Sequence, residues 1–267
     1  MSADIPSLST TTLSRRERML VLGALATVVA LAWAYLFAGA SQMDVDMASM
    51  AQSAMHMAAS PWTAKHFALT VIMWVVMMIA MMLPSAAPMV LTYAAVARKI
   101  TPGQSQASLT AAFVVGYLLV WSAFSVGATL LQWGLERTAL LLPTMVASSH
   151  LLGGVLLITA GLYQWSPVKE FCLRHCQSPI AFVGQHWRSG VGGAMRMGSE
   201  HGIYCVGCCW ALMLLLFVGG VMNLLWVAVI SVFVLLEKLI GPGTRPARWI
   251  TGGSLITAGF LLVMAGF

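Results

Sequence analysis

The chain has 267 residues, of which 60% are hydrophobic and only 8% charged, with a mean hydropathy of +0.87 and a formal charge of +6. A soluble domain carries about 25% charged residues, so this composition excludes an ordinary soluble fold and points to an all-α, polytopic membrane bundle. The positive charge does not mark a nucleic-acid binder: Lys and Arg cluster between apolar runs, where the positive-inside rule accounts for them, and the expected partner is the lipid bilayer.

Residues 1–18 read as a disordered cytoplasmic tail, and 19–267 as one transmembrane helical domain. A helix needs roughly 20 apolar residues to cross the hydrocarbon core. Seven segments meet or approach this: 19–40, 67–97, 109–135, 149–165, 203–221, 222–240 and 248–267. The first resembles a signal peptide, with Arg15, Arg16 and Arg18 ahead of it and Ala38-Gly39-Ala40 behind. Its apolar run exceeds the roughly 7–15 residues of a signal h-region, so an uncleaved anchor is expected. The second contains Pro84 and Pro88 and is expected to kink or break there. The fifth and sixth form one run that Gly219, Gly220 and Asn223 divide at a tight turn. Two substantial loops remain, 41–66 outside and 166–202 inside. With the N-terminus inside, 12 basic residues fall on the inner side and only Lys65 and Arg137 outside, which supports seven spans.

Eleven of the 19 methionines lie between Met43 and Met89. Met43, Met47, Met50, Met55 and Met57 share the outer loop with Asp44, Asp46 and His56. Met73, Met77, Met78, Met81 and Met82 occupy one half of the second helix. Thioether sulfur is soft and uncharged, suits Cu(I) and binds hard ions poorly. Met55-His56-Met57 therefore reads as a copper-capture element. For the span methionines the plainer reading is packing, since Met fills helix interfaces well. Ser85 can offer its hydroxyl to the backbone opened at Pro84, and broken membrane helices often border ion sites.

All five cysteines fall within 38 residues. Cys172 and Cys176, with His175, share one helical face, and so do Cys205, Cys208 and Cys209, with His201 one turn earlier. A small apolar residue in a helix explains one cysteine, but not two clusters with none elsewhere. Thiolates bind Cu(I) and Zn(II); two or three suffice for Cu(I), whereas structural zinc takes four ligands. His150 and His186 are isolated and read as structural or surface residues. Glu237 and Lys238 end the sixth span, either in the headgroup region or as a buried functional pair. Asn223 and Gln164 are placed to bond across helices.

The stretches WVVMMIAMMLPSAAP (74–88), YQWSPVKEFCLRHCQSP (163–179), HGIYCVGCCWALM (201–213) and GVMNLLWVAVISVFVLLEK (220–238), in that order, resemble the bacterial family numbered 2182. That family is described as predicted metal-binding integral membrane proteins, sometimes labelled copper chaperones. The resemblance spans roughly 65–240. It implies metal binding, copper first, on Met77, Met78, Met81, Met82 and on Cys172, Cys176, His201, Cys205, Cys208 and Cys209. The outer Met-rich loop precedes the matched part.

These readings converge on a multi-pass protein of the bacterial inner membrane that handles Cu(I), with zinc as the other candidate metal. Uptake, trafficking and delivery to a copper-dependent membrane enzyme or a soluble copper carrier all fit. No GxxxxGK[ST] phosphate-binding loop is present, and no enzyme activity is expected. Two alternatives stand beside this: a membrane thiol–disulfide oxidoreductase, and an assembly subunit with a structural zinc.

Overall fold

A computed structural model describes residues 13–40, 62–141, 147–240 and 246–266 in full, and the backbone alone of 41–51 and 245. The described chain is helical: α1 (Arg15–Ala51), α2 (Ala64–Ile100), α3 (Gln106–Arg137), α4 (His150–Gln164), α5 (Pro167–Gln177), α6 (Pro179–His186), α7 (Gly190–Leu214), α8 (Leu216–Gly219), α9 (Leu224–Leu239) and α10 (Arg245–Met264). The helices begin where short polar residues can take their free amides. Thr63, Ser105, Ser149, Ser166 and Asn223 each accept a backbone N–H at the start of α2, α3, α4, α5 and α9.

All seven expected apolar segments fall on helices, but not all are long enough to cross a membrane. Among the described residues, five stretches are long and apolar enough to cross a membrane: the part of α1 up to Ala40, α2, α3, α7 with α8, and α10. α4 and α5, bent by 65° where they join, make a sixth if taken together. The expected count of seven is not reached by this test among the described residues, since α4 has 15 residues and α9 has 16, below the roughly 20 a simple span needs.

Other boundaries also differ. The polar stretch 166–202 is mostly helical, because Ser166-Pro167 and Ser178-Pro179 place proline in the first turn of α5 and α6, and α7 starts at Gly190. Residues 15–18, read as tail, belong to α1. α2 passes through Pro84 and Pro88 without a break. Around them, Met82 O accepts from the hydroxyls of Ser85 (2.8 Å) and Tyr117 (3.1 Å), and Pro88 O accepts from Thr92 (2.8 Å). After α8 the chain turns at Gly220, whose φ of +93° is open to glycine at little cost, and Asn223 caps α9 on its own helix rather than bonding across the bundle.

α2, α3 and α7 form the centre. α3 and α7 approach closely because Gly198 lies directly on the backbone of Phe113. Ser199 Oγ then donates across the gap to Gly116 O at 3.1 Å. α5 and α6 lie against this core, and α4 pairs with α10.

Candidate metal centre

One turn and a half of α7 presents Cys205, Cys208 and Cys209 on the face turned into the bundle, with His201 a turn earlier, and all four are buried. α5 lies along the same face. Its Cys176 is buried in the same core cluster as Cys205, Cys208 and Cys209, and Cys172 packs its sulfur on Gly207. The two cysteine clusters, 29 residues apart in sequence between Cys176 and Cys205, therefore meet. Met77, Met78, Met81 and Met82 of α2 are buried in the same core cluster as Cys176, Cys205, Cys208 and Cys209.

Cys205 is the hub. Its Sγ lies 3.1 Å from the Tyr117 hydroxyl and accepts from Lys238 Nζ at 2.9 Å. The same ammonium donates to Ser85 Oγ at 2.8 Å. Glu237, the carboxylate beside Lys238 in sequence, is taken by Lys169 Nζ at 2.8 Å, with both side chains buried. A buried ammonium needs a strongly polar or anionic partner, and for Lys238 that partner is the Cys205 sulfur. Glu237 and Lys238 are thus buried within the protein, and Glu237 pairs with Lys169. Arg248 instead donates to Gln164 O at 3.0 and 3.1 Å.

The sulfurs are packed against one another and against the backbone. Cys208 Sγ and Cys209 Sγ are 3.3 Å apart and donate to Cys205 O at 3.1 and 2.8 Å. Two sulfurs held at about 2.3 Å from one metal lie about 3.8 Å apart in tetrahedral geometry, and farther in linear geometry. Among the described residues, no group of three or more His, Cys, Asp or Glu is already arranged as a metal cage. The donor set nevertheless fits a soft cation: buried thiols, adjoining thioethers, and a buried imidazole whose Nδ1 has no hydrogen-bond partner. That imidazole, His201, stacks on Tyr117 with centroids 5.5 Å apart. An unpaired polar atom at a buried site calls for a partner, and a metal ion is one.

A polar line runs away from the thiols along α3. Glu136 accepts from Trp62 Nε1 (2.8 Å) and Gln132 Nε2 (2.9 Å), and Gln132 Oε1 accepts from Trp74 Nε1 at 2.8 Å. Thr129 and Ser125, both buried, continue this face toward Trp121 and Tyr117. From Glu136 to Tyr117 the rise is about 28 Å at about 1.5 Å per residue. The Met-bearing face of α2 lies alongside, beginning at Trp74.

The other predicted ligands are separate. His175 is half-buried and stacks on Tyr204 rather than joining the thiols. Met55, His56 and Met57 lie outside the described residues. Tyr117 and Lys169 have site roles the sequence reading did not assign, and Ser85, read there as a hydroxyl for the opened backbone, also takes the Lys238 ammonium. The spacing of Ser125, Thr129, Gln132 and Glu136, three or four apart in an otherwise apolar helix, was the available signal for the α3 face.

Fold and site together define a bundle of membrane-length helices around a buried thiol and thioether cluster suited to soft cations. The chain belongs to the PpoB2 copper chaperone family, whose profile matches residues 71–262. This agrees with the resemblance found in the sequence and covers every residue of the thiol cluster. No curated protein and no solved structure matches the chain.

Proposed function

We propose that this protein binds Cu(I) as cargo within the bacterial inner membrane and passes it from the outer side toward the inner, or to a copper-dependent membrane enzyme. The observation that carries this is the meeting of α5 and α7, which gathers Cys176, Cys205, Cys208 and Cys209 in one buried place beside Met77, Met78, Met81 and Met82. Cu(I) needs two or three soft ligands, and this cluster supplies them without carboxylates that would favour hard ions. The thioethers of α2 bind more weakly than the thiols, so passage along α2 toward α7 runs downhill in affinity. Met55, His56 and Met57 would supply the capture step ahead of it.

Structural zinc is the second reading, favoured by the same four thiols, since that metal takes four ligands. A thiol–disulfide relay has less support: all five cysteines are free, four are buried and none is exposed. The test is metal retention by the detergent-purified protein under reducing conditions, after one equivalent of Cu(I) or Zn(II) and a chelator competitor. The copper reading expects the wild type to retain Cu(I) against a strong competitor that strips it from C205S/C208S/C209S. Zinc held more tightly than copper would turn the assignment to a structural site.

A further inference from the structure

α5 and α6 bring together two histidines that take no part in the thiol cluster. The rings of His175 and His186 have centroids 6.4 Å apart at 75°. In each, Nδ1 lies against the carbonyl one turn back: His175 on Phe171 O at 2.9 Å, His186 on Phe182 O at 3.0 Å. A carbonyl only accepts, so Nδ1 carries the hydrogen and the neutral ring presents its lone pair at Nε2. Metal-binding histidines are commonly fixed in this way, with the second nitrogen donated to a carbonyl or carboxylate.

The rings are also held in place. His175 stacks on Tyr204 at 4.2 Å and 3°, and His186 stacks on Phe182 at 4.6 Å and 18°. Both histidines are half-buried and so remain open to an ion. Two imidazoles sharing one metal at about 2.0–2.1 Å have ring centres about 5–6.5 Å apart, depending on the angle at the metal. The observed 6.4 Å lies within that range, and imidazole is a ligand for copper rather than for Mg²⁺ or Ca²⁺.

We infer that His175 and His186 form a second, two-coordinate Cu(I) site through their Nε2 atoms. It is separated from the thiols by Tyr204, the residue before Cys205. The inference rests on copper being the cargo. Bound there, the ion keeps its +1 charge and exchanges ligands without electron transfer.

The experiment is an anaerobic Cu(I) titration of the full chain, counting ions retained against a weak chelator, for the wild type, H175Q/H186Q and C205S/C208S/C209S. The wild type is expected to hold one ion more than H175Q/H186Q, and the serine variant to keep the imidazole-bound ion. A wild-type count unchanged in H175Q/H186Q overturns the second site and leaves the thiol reading standing; no copper on the wild type overturns both. Diethyl pyrocarbonate labelling of the unmutated chain gives a readout that does not depend on variant folding. Two equivalents of Cu(I) should protect His175 and His186 severalfold while leaving His66 unchanged. Equal labelling of His175 and His186 with and without copper overturns the site.

Discussion

Replacing Gly198 by Ala drives a methyl group into the backbone of α3. A Cβ there would overlap Phe113 O and stand 2.8 Å from its carbonyl carbon and 3.1 Å from its Cα, where ordinary contact is 3.4–4 Å. Backbone cannot rotate aside, so α3 and α7 must separate. That parting stretches two contacts now at 3.1 Å, Ser199 Oγ to Gly116 O and Tyr117 hydroxyl to Cys205 Sγ. Overpacking costs about 1–3 kcal/mol and each hydrogen bond about 1 kcal/mol, against a helix-propensity gain for Ala of about 1 kcal/mol. The net expectation is a loss of about 2–4 kcal/mol. Gly127, on the same α3 with nothing within 4 Å of a Cβ, is the control, and G127A should be neutral or slightly stabilising. Thermal unfolding in detergent separates the two, and Cu(I) competition should show weaker binding in G198A alone. Equal melting and equal copper affinity of G198A and G127A would refute the close packing of α3 on α7 that positions Cys205.

Y117F removes the hydroxyl shared by Cys205 and Met82 O; it should fold normally and lose about 10- to 100-fold in Cu(I) affinity, as supporting contacts around metal ligands do. H201F keeps the stacking on Tyr117 and removes the unpartnered Nδ1; its melting temperature should match or exceed the wild type while copper affinity falls at least tenfold, and unchanged affinity removes His201 from the ligand set. E237Q strands the Lys169 ammonium in the interior and should cost about 3–5 kcal/mol, read by thermal unfolding. The double variant K169M/E237L should recover most of that loss.

Much of the fold was legible because apolar runs and glycine-containing turns are local signals. All seven apolar segments lie on helices, and the chain turns at Gly220. What the sequence hides is how far a helix continues into polar residues. Gly190 to His201 read as loop by polarity, yet a face packed on α3 makes it helix. The candidate site was half visible. Cysteine spacing identified the two faces that meet, and the Met run marked α2. Tyr117 carried no spacing signal, since only the packing of α3 on α7 brings it to Cys205, and Ser85, marked beside Pro84, gave no sign of its link to Cys205 through Lys238. Lys238 looked like a charge at the end of a span, because nothing in the sequence shows that α9 is only 16 residues long and lies against the core. His186 looked isolated because its partner, His175, sits across a helix junction.

The most direct measurement of the central claim is the X-ray absorption spectrum of the protein loaded with one equivalent of Cu(I) under reducing conditions. The account predicts a first shell made mainly of sulfur, and that sulfur shell is lost in C205S/C208S/C209S whatever copper the variant keeps. A first shell of nitrogen and oxygen alone, or a sulfur shell that survives in the serine variant, would contradict it.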